Sequence, residues 1–131
     1  MEPQIRFCTS ADGTRIAYAV YGDEQATPLV QVNSWLGCHE LNWGEGKFQS
    51  HIEGLAQGRQ VIGIDRRGVG ASARDVDDLS MDAQVSDLAA VVDHLSLEQF
   101  DLAGWLDGAA VCVAYAAQHP ERLARLVLRS V

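Results

Sequence analysis

The sequence predicts an α/β protein with a mostly parallel sheet, an N-terminal antiparallel hairpin, and helices on both faces. Asp12-Gly13 separates two apolar segments and is a hairpin signal, because both residue types tolerate a positive φ. Strands and helices then alternate along the chain, which is the pattern of parallel strands joined by crossover helices. Residues 60–65, QVIGID, form an apolar run closed by an acid, as in a strand buried on both faces.

Apolar periodicity places the elements in order. The hairpin strands are residues 4–8 and 15–21, and in the second of them Ile16, Tyr18 and Val20 share one face. The later strands and the helices follow from apolar runs, helical spacing and breakers. The predicted strands are 28–32, 60–65, 100–103 and 125–131, and the predicted helices are 47–57, 80–95 and 108–119.

The second predicted helix has the clearest signals. Ser80 is a suitable N-cap, because its hydroxyl oxygen can accept a hydrogen bond from a free backbone N–H of the first turn. Apolar residues then recur at helical spacing and define the predicted inward face. These residues are Met81, Val85, Leu88, Val92 and Leu95.

Composition limits the function classes. A chain of 131 residues with 47% apolar and 21% charged residues fits one folded domain, residues 1–131. Its net charge of −8 disfavours nucleic acid and anionic membranes as partners. No secretory signal and no apolar stretch long enough to span a bilayer is seen, so we expect a cytoplasmic location. Three scattered cysteines do not form a disulfide framework, and no residue spacing predicts a metal or a cofactor.

Residues 104–108, Gly-Trp-Leu-Asp-Gly, lie between a predicted strand and a helix of small residues. This is the setting of a nucleophile elbow, in which flanking glycines permit a tight turn that holds a serine above the sheet. The central position here is Leu106, and a leucine side chain has no atom that can attack an electrophile. The sequence therefore predicts the shape of the turn without its usual chemistry.

Asp107 follows one position later. We expect its carboxylate to face the start of the following helix, where the helix dipole favours a negative charge. The alternative is that the turn is shifted by one residue, so that Asp107 acts as the nucleophile or binds a cation.

The loop after the third strand, VNSWLGC, is rich in large apolar residues. The backbone N–H groups of Trp35 and Asp107 are candidates for stabilising an oxyanion, and Ser34, Cys38 and Trp105 are candidate pocket residues. The alternative is that Trp35, Leu36 and Trp43 pack over the core and that Cys38 is a buried or incidental cysteine. Of the four histidines, we expect His39 to lie nearest this pocket and His51 to lie on the exposed side of its helix.

Residues 68–73 match the permissive dinucleotide pattern G-x-G-x-x-G/A. A dinucleotide site needs a helix to begin inside that pattern, whereas here acidic residues follow. We therefore expect a glycine-bearing turn and no cofactor.

Taken together, ADGTRIAYAVYG, LVQVNSWLG, VIGIDRRGVGAS and DLAGWLDGAAVCVAYAAQHPERL resemble the N-terminal half of the α/β-hydrolase family. The first third also resembles hydrolase-like domains that bacteria fuse to nucleotide cyclases or transcription regulators. The family resemblance implies a nucleophile, an acid and a histidine in that chain order. It places the nucleophile position at Leu106 and the oxyanion donors at Trp35 and Asp107.

The sequence departs from the family pattern in several ways. Asn33-Ser34 stands where His-Gly is common, Leu106 replaces the nucleophile, and Ala109 replaces a glycine. The segments that carry the family's acid and histidine are not in this sequence, so we expect a truncated α/β-hydrolase fold with an uncovered sheet edge. Such an edge favours self-association, as a homodimer for example, or pairing with a partner chain.

These features lead to three functional expectations. The first is a catalytically degenerate hydrolase-like domain that serves as a binding or assembly module. The second is an active hydrolase of esters or other acyl compounds, with a non-standard or dimer-assembled site. The third is a sensor domain for a small-molecule ligand.

Overall fold

The computed structural model describes residues 3–23, 25–35 and 37–130. The strands are β1 Gln4–Thr9, β2 Arg15–Gly22, β3 Thr27–Val32, β4 Arg59–Ile64, β5 Phe100–Trp105 and β6 Leu123–Arg129. The helices are α1 His39–Asn42, α2 Gly46–Leu55, α3 Met81–His94 and α4 Gly108–Gln118, and a 3₁₀ turn spans Pro120–Arg122. The predicted order of strands and helices is confirmed, and α1 is an addition inside a segment predicted as loop.

The six strands form one mixed sheet in the order β1-β2-β4-β3-β5-β6. β1 pairs antiparallel with β2, and β2 pairs antiparallel with β4. The remaining pairs, β3 with β4, β3 with β5, and β5 with β6, are parallel. The predicted N-terminal hairpin and mostly parallel sheet are therefore confirmed, and the carboxyl ends of β3, β4 and β5 meet at one edge.

Side-chain alternation along the strands separates two apolar cores. Tyr18 and Val20 point into the larger core, together with residues of α3 and α4. Ala19 and Tyr21, the alternate positions, join a smaller core with Ile52 of α2. Because neighbouring strand residues face opposite sides of a sheet, helices cover both of its faces.

Helix α3 begins as predicted, since the Ser80 hydroxyl accepts a hydrogen bond from the Ala83 N–H at 3.2 Å. Its inward face differs from the prediction at one end. Met81, the first residue of the helix, is 40% exposed, whereas Ala83 and Val91 are buried. The prediction for Met81 was wrong because a residue at the first helical position extends beyond the edge of the packed face.

A buried ion pair ties α3 to the rest of the fold. The Arg67 guanidinium donates to both carboxylate oxygens of Asp87, at 2.7 and 2.8 Å. Nη1 and Nη2 also donate to the Asp12 carboxylate at the hairpin turn, and Nη1 donates to the Asp78 carbonyl oxygen. Hydrogen bonding to Asp87 raises the pKa of Arg67, and hydrogen bonding to Arg67 lowers the pKa of Asp12. Arg67 thereby joins β4, α3 and the hairpin.

Strand β6 is the exposed edge on the far side of the sheet. Apart from the half-buried Leu123, its residues are exposed, including Leu126, Val127 and Leu128. Among the described residues, no helix has the length and apolar character needed to cross a membrane.

The Arg67–Asp87 pair gives a stability prediction. Asp87→Ala leaves a guanidinium buried without its main partner, and we expect a loss of about 3 kcal/mol in the free energy of unfolding. Asp93→Ala is the control, because it removes the exposed partner of Arg122 from the same helix. That change should cost less than about 1 kcal/mol. Urea unfolding of both variants measures the difference, and equal losses would contradict the role given to Arg67.

Candidate functional site

The turn between β5 and α4 has the backbone of a nucleophile elbow. Leu106 sits at its centre with φ of 55°, a left-handed conformation that costs a non-glycine residue about 1–2 kcal/mol. A Cβ at Gly104 would lie 2.6 Å from the Ala109 Cα, and one at Gly108 would lie 2.4 Å from the Val32 carbonyl oxygen. Both flanking glycines are therefore required by close packing of the strand, the turn and the helix.

The Leu106 side chain is presented to solvent at this apex. It is 46% exposed, and its backbone N–H donates to the Arg129 carbonyl oxygen of β6 at 3.0 Å. The turn is thus in the register predicted from the sequence, with leucine at the position a nucleophile would take. Leucine offers neither a proton to remove nor a lone pair.

Asp107 does not cap the helix that follows it. Although it is the N-cap residue of α4, its side chain makes no capping hydrogen bond and its backbone is already helical. Its carboxylate instead accepts a hydrogen bond from the Trp35 backbone N–H at 3.3 Å and pairs with the Arg66 guanidinium at 2.6 Å. The sequence did not predict these two partners, which lie across the sheet edge from the start of α4.

Because of this contact, the Trp35 N–H is already hydrogen-bonded within the chain. We expected that group to be available to a developing oxyanion, but the Asp107 carboxylate accepts its hydrogen. The Trp35 side chain is 61% exposed and does not close over the core. Trp43 does pack on the core, against Tyr21 with ring centroids 5.3 Å apart, and Leu36 lies outside the described residues.

Arg66 is the site residue that sequence reasoning missed. Besides Asp107, its guanidinium donates to the side-chain oxygen of Gln84 on α3, through both Nε and Nη2. It also reaches the Asn33 carbonyl oxygen at 3.5 Å. The signal was present, because Arg66 follows β4 and a parallel sheet brings the carboxyl ends of its strands together.

His39 is a core residue rather than a pocket residue. It is 1% exposed, and its Nδ1 lies 2.8 Å from the Tyr21 hydroxyl. Its Nε2 lies 3.4 Å from the Asn33 side-chain nitrogen, and its backbone N–H donates to the Asp65 carboxylate at 3.0 Å. Burial lowers the pKa of His39 to about 4, so the ring is neutral at pH 7. His39 therefore lies near the expected pocket, against Asn33 and Phe48, without lining it.

A cavity of about 360 Å³ lies beside the elbow. Its walls come from the loop after β3, from α2 and from the end of β5, and they include Asn33, Ser34, Lys47, Phe48, His51 and Trp105. The expected pocket residues Ser34 and Trp105 are therefore brought together here. Cys38, Leu106 and Asp107 are not among its lining residues.

His51 also departs from expectation. It is half-buried, lines the cavity, and stacks near Trp105 with ring centroids 5.9 Å apart. Burial, with a smaller effect of the Arg129 charge, lowers the pKa of His51. The sequence predicts an exposed position for His51, but the cavity wall extends round that side of α2.

Neither of the two nearby cysteines is among the residues that line the cavity. Cys38 is a half-buried free cysteine that precedes α1. Cys112 is buried under the elbow, and burial raises its pKa to about 12. Across the described part of the chain, no three His, Cys, Asp or Glu side chains are grouped in a way that could hold a metal ion.

Residues 68–73, which match the dinucleotide pattern, form a glycine-bearing turn. Gly68 and Gly70 both have positive φ, and the next helix after them begins only at Met81. A Cβ at Gly70 would lie 2.4 Å from the Asp65 carboxylate, which also accepts the Ala71 N–H. The glycines therefore fold the chain around a buried aspartate.

The buried neutral His39 gives a pH prediction. In the unfolded chain this histidine takes up a proton near pH 6.5, whereas in the fold it stays neutral down to about pH 4. Its contribution to stability is complete above pH 6.5 and is lost as the pH falls to about 4, at up to about 1.4 kcal/mol per pH unit.

His39→Gln removes this titration and leaves every other group in place. We expect urea unfolding across that pH range to show a flatter stability profile for the variant than for the unmodified chain. Identical slopes for the two proteins would show that His39 is not held neutral.

Proteins of known sequence and structure resemble this chain. A non-heme haloperoxidase from Rhodococcus erythropolis is 34% identical over 124 residues, which cover 93% of this chain and 42% of that protein. A 2-hydroxymuconate semialdehyde hydrolase from Pseudomonas sp. strain CF600 is 43% identical over 75 residues, covering 56% and 26%.

Among solved structures, an esterase from Rhodococcus sp. ECU1013 matches with a TM-score of 0.79 and 34% identity, covering 95% of this chain and 44% of that one. The chain spans less than half the length of these relatives. A family model described as alpha/beta hydrolase fold matches residues 27–131. With the elbow turn, the mixed sheet and this match, the chain belongs to the α/β-hydrolase family.

Proposed function

We propose that this chain is a catalytically degenerate member of the α/β-hydrolase family that serves as a binding or assembly module. The observation that carries the proposal is Leu106 at the centre of an intact elbow, with φ of 55°. In the Ser-His-Asp mechanism the residue at this point attacks the carbonyl carbon of the substrate. Leucine cannot do so, while the strained backbone that would present a nucleophile is retained.

The Asp107 carboxylate supports the same proposal. It accepts the Trp35 N–H, a donor that the family would use to stabilise an oxyanion, and it is neutralised by Arg66. An oxyanion that develops in acyl transfer needs free hydrogen-bond donors at this place. The Trp35 N–H is already engaged by Asp107 and is not such a donor.

The second candidate is a hydrolase that uses Asp107 as its nucleophile. One observation favours it, because the Asp107 side chain is 45% exposed and lies next to the elbow centre. Against it, both carboxylate oxygens already have partners, and the residue is not at the apex of the turn. The third candidate, a small-molecule sensor, would differ from the first by a change in tryptophan fluorescence on ligand binding.

Hydrolysis of 4-nitrophenyl acetate tests the proposal directly. We expect the purified chain, Asp107→Asn and Cys38→Ala all to release nitrophenol at the buffer rate, because neither side chain is presented as a nucleophile. A purified esterase assayed in parallel confirms that the substrate is competent. Turnover that disappears in one variant would identify a replacement nucleophile and overturn the proposal.

Assembly is the second part of the proposal, with a second copy of this chain as the partner. Strand β6 pairs with β5 on one side, and its other side forms an edge of the sheet. Three consecutive apolar residues of this strand, Leu126, Val127 and Leu128, are exposed. Unpaired backbone groups beside exposed apolar side chains favour pairing with another strand.

Light scattering of the 131-residue chain tests this assembly. We expect its average mass to rise with concentration and Val127→Lys to shift it toward the monomer, because a charged side chain on the edge opposes strand pairing. Val113→Lys, a change of similar exposure on α4, is the control and should leave the mass unchanged. A concentration-independent monomer would contradict the assembly proposal.

A cytoplasmic location belongs to the same proposal. It is supported by Cys8, Cys38 and Cys112, which are all free, as is usual in a reducing compartment. Recovery of the protein outside the cytoplasmic fraction of its cells would contradict it.

A further inference from the structure

A second cavity, of about 390 Å³, lies on the other side of the Trp35 loop from the functions considered so far. Its walls come from that loop, from the turn after β4, from the segment of residues 74–79 and from α3. Among the described residues, it shares no lining residue with the cavity beside the elbow, and neither Leu106 nor Asp107 lines it. A cavity of this volume is large enough for a small-molecule ligand.

Part of the wall of the second cavity is apolar and in contact with solvent. Trp35 and Leu79 line it and are among the most exposed large apolar residues of the chain, and Val76 is a half-buried lining residue. A Cβ added at Gly68 would lie 3.4 Å from Val76 Cγ2 and 3.7 Å from Leu79 Cδ2, so both side chains pack over this glycine. An apolar ligand in the cavity would remove this exposed surface from water, which favours binding.

Hydrogen bonds from two other elements hold the 74–79 segment in place. Arg67 Nη1 donates to the Asp78 carbonyl oxygen at 2.9 Å. From α3, Gln84 Nε2 donates to the Leu79 carbonyl oxygen, also at 2.9 Å. The wall is therefore formed before a ligand arrives, and a preorganised wall lowers the entropy cost of binding.

The charged residues that line the second cavity, among those described, are all arginines, although the chain carries a net charge of −8. Two of these arginines are neutralised by carboxylates of the protein. Arg66 pairs with Asp107 at 2.6 Å. Arg67 pairs with Asp87 at 2.7 Å. The third, Arg74, is exposed and differs from both.

Arg74 has its guanidinium available for an anion. In the described part of the chain it forms no ion pair, and its Nε donates to a neutral acceptor, the Gly70 carbonyl oxygen, at 3.0 Å. The buried Asp65 carboxylate accepts backbone N–H groups instead, and the chain neighbour Asp75 does not line the cavity. The N–H groups on Nη1 and Nη2 of an arginine form a planar fork that matches a carboxylate.

These features define the charge and shape of a suitable ligand. Its apolar part would cover the exposed lining side chains, and one negative charge would balance the one arginine that lacks a carboxylate partner. A dianion such as a phosphate ester would bring a second negative charge to a chain that is already acidic, which disfavours it. A neutral apolar compound would leave the Arg74 guanidinium without a partner.

We propose that the second cavity binds a hydrophobic monocarboxylate. The carboxylate pairs with the Arg74 guanidinium, and the apolar chain or ring lies against Trp35, Val76 and Leu79. The binding uses neither Leu106 nor the backbone N–H of Trp35, which Asp107 already engages. The inference names a ligand class for the binding role proposed above and rests on that role for its biological purpose.

The test is a titration of the ¹⁵N-labelled full chain with hexanoate, 1-hexanol and acetate, followed by NMR at the indole N–H groups. We expect hexanoate to shift the Trp35 signal and to leave the signal of Trp105, which lines the other cavity, in place. Hexanoate should bind about fivefold more tightly than 1-hexanol, the upper range for a partly exposed ion pair. Acetate, which lacks the apolar chain, should bind at least about tenfold more weakly than hexanoate.

Three substitutions locate the two parts of the ligand. Arg74→Gln should weaken hexanoate about fivefold and leave 1-hexanol unchanged. Arg59→Gln is the matched control, because it removes the same charge at the start of β4 and is not a lining residue, so it should change neither affinity. Leu79→Ala should weaken both hexanoate and 1-hexanol, by about threefold. The probe comparison on the unmodified chain holds even if a variant fails to fold.

The outcomes separate this inference from the proposed function. Equal affinity for hexanoate and 1-hexanol, no shift at Trp35, or equal effects of Arg74→Gln and Arg59→Gln would each overturn the assignment of the cavity. In that case an ester assay without turnover would still leave the degenerate-hydrolase proposal standing. Ester turnover together with hexanoate binding that depends on Arg74 would overturn that proposal and leave the carboxylate site in place.

Discussion

The carboxyl end of β4 carries three consecutive charged residues, and the arrangement of the site depends on how each is paired. Asp65 is buried and accepts backbone N–H groups from His39 and Ala71. Arg66 pairs with Asp107 across the sheet edge, and Arg67 pairs with Asp87. A buried charge without a partner costs several kcal/mol, so each pairing constrains the loop or helix that supplies the partner. One strand end thus positions α1, the elbow and α3.

Packing against neighbouring elements constrains the backbone of the elbow. Gly104 and Gly108 are enclosed by neighbouring backbone and by Cys112, and a side chain at either position would collide with them. These contacts operate whatever residue stands at the apex. Packing therefore holds the turn with Leu106 at its apex, independently of any role in chemistry.

The fold was predictable from the sequence because it rests on local patterns. The alternation of Tyr18 and Val20, the Ser80 cap and the glycines around Leu106 each act over a few residues. The site was only partly predictable, because it depends on strand order. Arg66 meets Asp107 since β3 lies between β4 and β5, an order that no local pattern contains. The same limit explains why His51 was expected on the surface rather than in a cavity wall.

The contact between Asp107 and the Trp35 N–H has a further consequence for ligands that carry a carboxylate. A side chain tethered next to its binding partner acts as a competing ligand whose effective concentration is on the order of millimolar or higher. A free carboxylate has to displace this intramolecular competitor and separate it from Arg66 before it can use the same N–H. The Trp35 N–H is therefore already hydrogen-bonded within the chain, and a dilute external carboxylate competes for it poorly.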